Sequence, residues 1–68
     1  MADKTYKLIE LVGTSADSFA EAVRTAVEKA SESLHNLDWF EVTEMRGRID
    51  GGKVSQYQVK VKVGFRLD

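Results

Sequence analysis

The chain has 68 residues with no cysteine and a single histidine, so disulfides and thiolate metal sites are excluded and a His-based metal centre has too few ligands. Ten basic residues face eleven acidic ones, without the basic excess of a protein held to nucleic acid by phosphate contacts. No long apolar run is available to cross a membrane and Met1-Ala2-Asp3-Lys4 lacks an apolar signal core, so the chain reads as one cytoplasmic domain, 1–68, whose remaining route to stability is oligomerisation.

Tyr6 to Val12 is aliphatic and partly alternating, which predicts a strand broken by Gly13-Thr14-Ser15. Ser15 or Thr14 can cap a following helix, with Asp17 near its positive end. From Ala16 to about Leu34 there is no glycine or proline. Phe19, Val23, Ala26, Val27, Ala30 and Leu34 recur at spacings of three and four and form one apolar stripe. Glu21, Arg24, Glu28 and Glu32 lie off the stripe, Arg24 and Glu28 can pair one turn apart, and Asn36 is a plausible helix end. Frequent alanine lets a sheet approach the helix closely. Trp39 to Ile49 is the second strand, Asp50-Gly51-Gly52 a hairpin turn, and Val54 to Leu67 the third strand. The third alternates almost without fault. Tyr57, Val59, Val61, Val63, Phe65 and Leu67 share one face, and Gln56, Gln58, Lys60, Lys62, Gly64 and Arg66 the other. The fold class is α+β, in the order β-α-β-β.

A two-residue loop at Gly51-Gly52 pairs Asp50 with Lys53. Val42 then faces Val61 and Phe40 faces Val63, apolar pairs suited to lie under the helix. On the other face Glu41 meets Lys62, and Trp39 lies beside Gly64, which leaves room over the ring. A bulge near Gly47 would shift this register. One sheet face therefore covers the helix. The other carries Trp39, Glu41, Thr43, Met45, Gln58, Lys60, Lys62 and Arg66 and stays open. The strands are long for so small a body, so part of the sheet should project as a surface for subunit contacts. Trp39 and Phe40 are neighbours on a strand and must point opposite ways. One enters the core, and the other needs a second subunit or a flat ligand.

Val12-Gly13-Thr14-Ser15, Leu37-Asp38-Trp39-Phe40-Glu41-Val42, Met45-Arg46-Gly47, Tyr57-Gln58-Val59 and Val63-Gly64-Phe65-Arg66-Leu67 together resemble the dodecin family, in order and over essentially the whole chain. The resemblance implies a three-stranded antiparallel sheet partly wrapped around one helix. It also implies a hollow homododecamer that binds flavins in stacked pairs between symmetry-related tryptophans. Trp39 matches the stacking tryptophan and Gln58 the glutamine that hydrogen-bonds the polar edge of the isoalloxazine. Arg46 matches an arginine of the bacterial branch near the flavin and its phosphate. That branch points to FMN, and it is also associated with coenzyme A, for which no residues are assigned. Residue chemistry agrees. Indole stacks well on a large planar ring, a glutamine amide offers a donor and an acceptor, and a guanidinium suits a phosphate. Trp39 and Gln58 are roughly 20 Å apart along the sheet, so the site is expected to be shared between subunits.

Taken alone, Trp39 reads first as an interface anchor, Gln58 as a solvated strand residue, and Arg46 and Arg66 as surface charges or partners in subunit salt bridges. His35 reads as a solvated residue at the helix end, and Met45 as packing. Gly51-Gly52 is a turn and not a phosphate loop, because no helix follows it. No nucleophile–base pair is present, so no enzymatic activity is expected. Stacking between tryptophans covers the reactive face of the flavin, and electron transfer from indole quenches its excited state. Storage, buffering and photoprotection of flavin follow. A structural oligomerisation module without flavin, or a flavoenzyme, are the other classes these residues leave open.

Overall fold

The computed structural model of the chain describes residues 3–68, and Met1 and Ala2, part of the start read above as having no signal core, lie outside the described residues. Strand β1 (Thr5–Ser15), helix α1 (Phe19–Ser31), strand β2 (Leu37–Asp50) and strand β3 (Lys53–Leu67) follow in the expected order. All pairings are antiparallel and the strand order is β1-β3-β2. The last strand in sequence is thus the centre of the sheet, and its Val59, Val61 and Val63 are the largest fully buried side chains. Their unbroken alternation is what a central strand under a helix requires.

Helix α1 is shorter than its pattern. Ser15 stays in β1, opposite Tyr57, so Ser18 becomes the cap, its hydroxyl accepting from the Glu21 amide at 3.0 Å. Ser15 instead accepts from the Asp17 amide at 2.9 Å and shapes the turn between strand and helix. At the far end Glu32 is the C-cap, and Asn36 lies beyond the helix with φ 63°, where it turns the chain into β2. Arg24 pairs with Glu21, not with Glu28.

Gly13 does not break the first strand. It lies within β1 opposite Val59, and a Cβ there would overlap the Ala22 carbonyl oxygen and approach the Ala26 Cβ to 2.8 Å. The helix therefore rests on β1 through Gly13, Ala22 and Ala26, with Ala30 also buried. The stripe facing the sheet is Ala22-Ala26-Ala30, and Val23 and Val27 flank it. The helix leaves the helix-side face of β2 uncovered, and Phe40 is 52% exposed there.

The hairpin turns on Gly51 and Gly52, both with positive φ (58° and 78°), and joins Asp50 to Lys53 as expected. The predicted pairs Trp39 with Gly64, Phe40 with Val63, Glu41 with Lys62 and Val42 with Val61 are all present. Beyond Val42 the register shifts. Thr43 is an extra residue in β2 and Ser55 one in β3, while Gly47 is regularly paired with Tyr57. Each bulge is tied down by its own side chain. The Thr43 hydroxyl donates to the Lys60 carbonyl at 3.2 Å and the Ser55 hydroxyl to the Arg48 carbonyl at 3.3 Å. Met45 accordingly pairs with Val59 and belongs to the helix-side face, not to the open face as its parity suggested. Arg46 takes the opposite move and joins the open face.

Candidate functional site

The open face is built from alternate residues of all three strands. Tyr6, Leu8, Glu10, Val12 and Thr14 come from β1, and Gln56, Gln58, Lys60, Lys62, Gly64 and Arg66 from β3. Trp39, Glu41, Glu44, Arg46 and Arg48 come from β2. At one end Trp39 lies across Gly64. A Cβ on Gly64 would overlap the benzo-ring carbons Cζ2, Cη2 and Cε2, so only glycine admits the indole flat against the central strand. The indole is 42% exposed, and Tyr6 meets it from β1 at an angle of 68° with ring centroids 4.8 Å apart. One indole face is covered by the Gly64 backbone, the Tyr6 ring stands steeply against the indole, and the exposed part of Trp39 lies on the side away from the strand.

The Asp38 side chain, as an acceptor beside the Tyr6 phenol, is the chief cause that raises the phenol's pKa, with burial and the Asp38 charge adding to the shift and Arg66 opposing it. Asp38 is the unpaired residue at the register shift between Leu37 and Trp39.

In the middle of the face runs a charge ladder. The Lys60 ammonium lies 3.7 Å from both the Glu10 and Glu44 carboxylates, and Glu44 in turn pairs with Arg46. Arg46, first by hydrogen bond and then by charge, holds the Glu44 carboxyl below its ordinary pKa, and Lys60 adds to the effect. At the far end Arg46 stands directly opposite Gln58. The Gln58 amide donates to the Gln56 side-chain oxygen at 2.8 Å, which leaves its own oxygen as an acceptor and fixes its orientation.

The structure thus joins Arg46 and Gln58 into one polar pair and keeps Trp39 apart from them. Gly64, under the indole, and Gln58 are six residues apart on β3, roughly 20 Å. Tyr6 and Glu44 carry no mark in the sequence that picks them out. Placing Tyr6 needs the β1–β3 register, which no tight turn sets, and placing Glu44 needs the Thr43 bulge. An apolar groove of about 410 Å³, lined by Val23, Val27 and Phe40 with Arg24 and Glu28 at its rim, lies on the opposite, helix-side face. Among the described residues no group of three or more His, Cys, Asp or Glu side chains is gathered to hold a metal ion, and no helix is long and apolar enough to cross a membrane.

A family model described as Dodecin matches residues 5–68. A dodecin of Thermus thermophilus is 49% identical over 65 residues, 96% of this chain and 94% of that protein. The solved dodecin of Streptomyces coelicolor superposes with a TM-score of 0.95 at 53% identity, over 100% of this chain and 97% of its own. The calcium dodecin of Mycobacterium tuberculosis, whose name attaches calcium to that protein, is 31% identical over 62 residues, 91% of this chain and 87% of its own.

Proposed function

The chain belongs to the dodecin family, and from that membership we propose that it binds flavin, FMN foremost, in a hollow homododecamer that stores and buffers the flavin and shields it from light. The observation that carries this reading is the Trp39 indole laid on Gly64 with its outer face free. A planar isoalloxazine finds there a preformed stacking surface, worth about 0.5–1.5 kcal/mol beyond area burial. Gln58 and Arg46, paired on the same face, offer an amide for the pyrimidine edge and a guanidinium for the phosphate. Their distance from Trp39 in one chain means that a single flavin draws its indole and its polar contacts from different copies.

Stacked between indoles, the flavin is withheld from substrates, and electron transfer from Trp39 returns its excited state to the ground state. The role is therefore binding without turnover. Coenzyme A is carried over from the family resemblance alone, without residues assigned to it.

Titration of the purified protein with FMN tests the reading. Flavin emission is expected to fall nearly to zero on binding. Trp39→Ala is expected to restore the emission and weaken binding while the assembly persists. A Trp39→Ala protein that dissociates into smaller species, yet still quenches FMN, would make Trp39 an interface anchor and defeat the proposal.

A further inference from the structure

A stacking platform works only if its orientation is fixed before the ligand arrives, because each side chain ordered on binding subtracts from affinity. Trp39 is on an edge strand and close to a register shift, a place where an indole would otherwise sample several rotamers. Two contacts remove that freedom. Gly64 gives the ring a flat bed, and Tyr6 closes on it from the opposite edge strand, across the gap that the missing Gly64 side chain leaves. The 68° angle and 4.8 Å separation form an edge-to-face pair, the arrangement favoured by the aromatic quadrupoles. Tyr6 is itself held, half-buried in β1, with Asp38 beside its hydroxyl and Arg66 opposite it across the β1–β3 pair.

We infer that Tyr6 is a positioning residue of the flavin site, clamping the Trp39 indole against Gly64 so that its outer face is presented ready to stack. This rests on the flavin reading above and assigns that site an element from a third strand. The essential feature is the aromatic ring and not the hydroxyl, because the ring makes the contact with the indole.

The test compares Tyr6→Phe with two non-aromatic changes, Tyr6→Leu and the strand-compatible Tyr6→Val. It uses near-ultraviolet circular dichroism of the flavin-free assembly and the affinity for FMN read from quenching. Tyr6→Leu and Tyr6→Val are expected to lose the indole fine structure and to bind FMN about 2- to 12-fold more weakly, the equivalent of one aromatic pair, at unchanged oligomer size. Tyr6→Phe is expected to keep both signals. Non-aromatic variants that bind FMN as tightly as the wild type overturn the inference. So does a Tyr6→Phe protein as impaired as Tyr6→Leu, since that assigns the effect to the hydroxyl. Wild-type protein that fails to quench FMN sinks the flavin reading itself and the inference with it. Wild-type quenching with unaffected Tyr6 variants sinks the inference alone.

Discussion

Arg46 reaches the open face through one extra residue in β2, and there it meets Glu44 before it meets any ligand. A phosphate must compete with that carboxylate for the guanidinium. Arg46→Ala is therefore expected to weaken FMN more than riboflavin, by about 2- to 5-fold at low salt and less as salt screens the contact. Glu44→Gln is expected to act in the opposite direction, tightening FMN relative to riboflavin, because it removes the competitor and keeps the shape. Parallel titrations of both variants with both flavins measure the difference. Equal weakening of the two ligands by Arg46→Ala would move Arg46 from phosphate binding to the ring or the fold.

The helix is held on the sheet by small residues, and Gly13 is the tightest point of that contact. Gly13→Ala forces the Ala22 carbonyl and the Ala26 methyl away from β1 and is expected to destabilise the protein by about 1–3 kcal/mol, read as a lower urea midpoint. An unchanged midpoint would mean that the helix can lift off without loss. Gly13 also shows where sequence reading stops. In sequence it looks like a strand end, because only the packed helix reveals why a strand would carry a glycine there. The hairpin was legible for a local reason: Gly51-Gly52 fixes a two-residue turn, and apolar pairing then sets Phe40 against Val63. Thr43 and Ser55 were not legible as bulges, since their hydroxyls bond to backbone across the ladder and nothing in the linear order announces it. That hidden parity change is why simple alternation puts Met45 on the wrong face and does not reveal the direct pairing of Arg46 with Gln58. Trp39 beside Gly64 was readable because the two bulges, one on each strand, cancel and restore by Val42 the register that the hairpin sets.

The molecule measures 56 × 21 × 14 Å, and its radius of gyration of 14.2 Å exceeds the about 11 Å of a compact chain this size. Its accessible surface of 5099 Å² likewise exceeds the about 4300 Å² such a chain would show if it folded into a sphere-like body. The excess lies in the projecting hairpin and in the uncovered β2 face with Phe40, Val42 and Met45. Light scattering is expected to find a stable closed dodecamer at micromolar concentration. A persistent monomer or dimer would refute that assembly. The uncovered β2 face has one more consequence. The helix provides only part of the cover that the sheet needs; in the proposed assembly neighbouring copies supply the rest, and the native state is then a product of mass action. Stability becomes a quantity with a concentration in it: diluting the protein acts on the fold as warming does, and an unfolding temperature has meaning only beside the amount of chain in the tube.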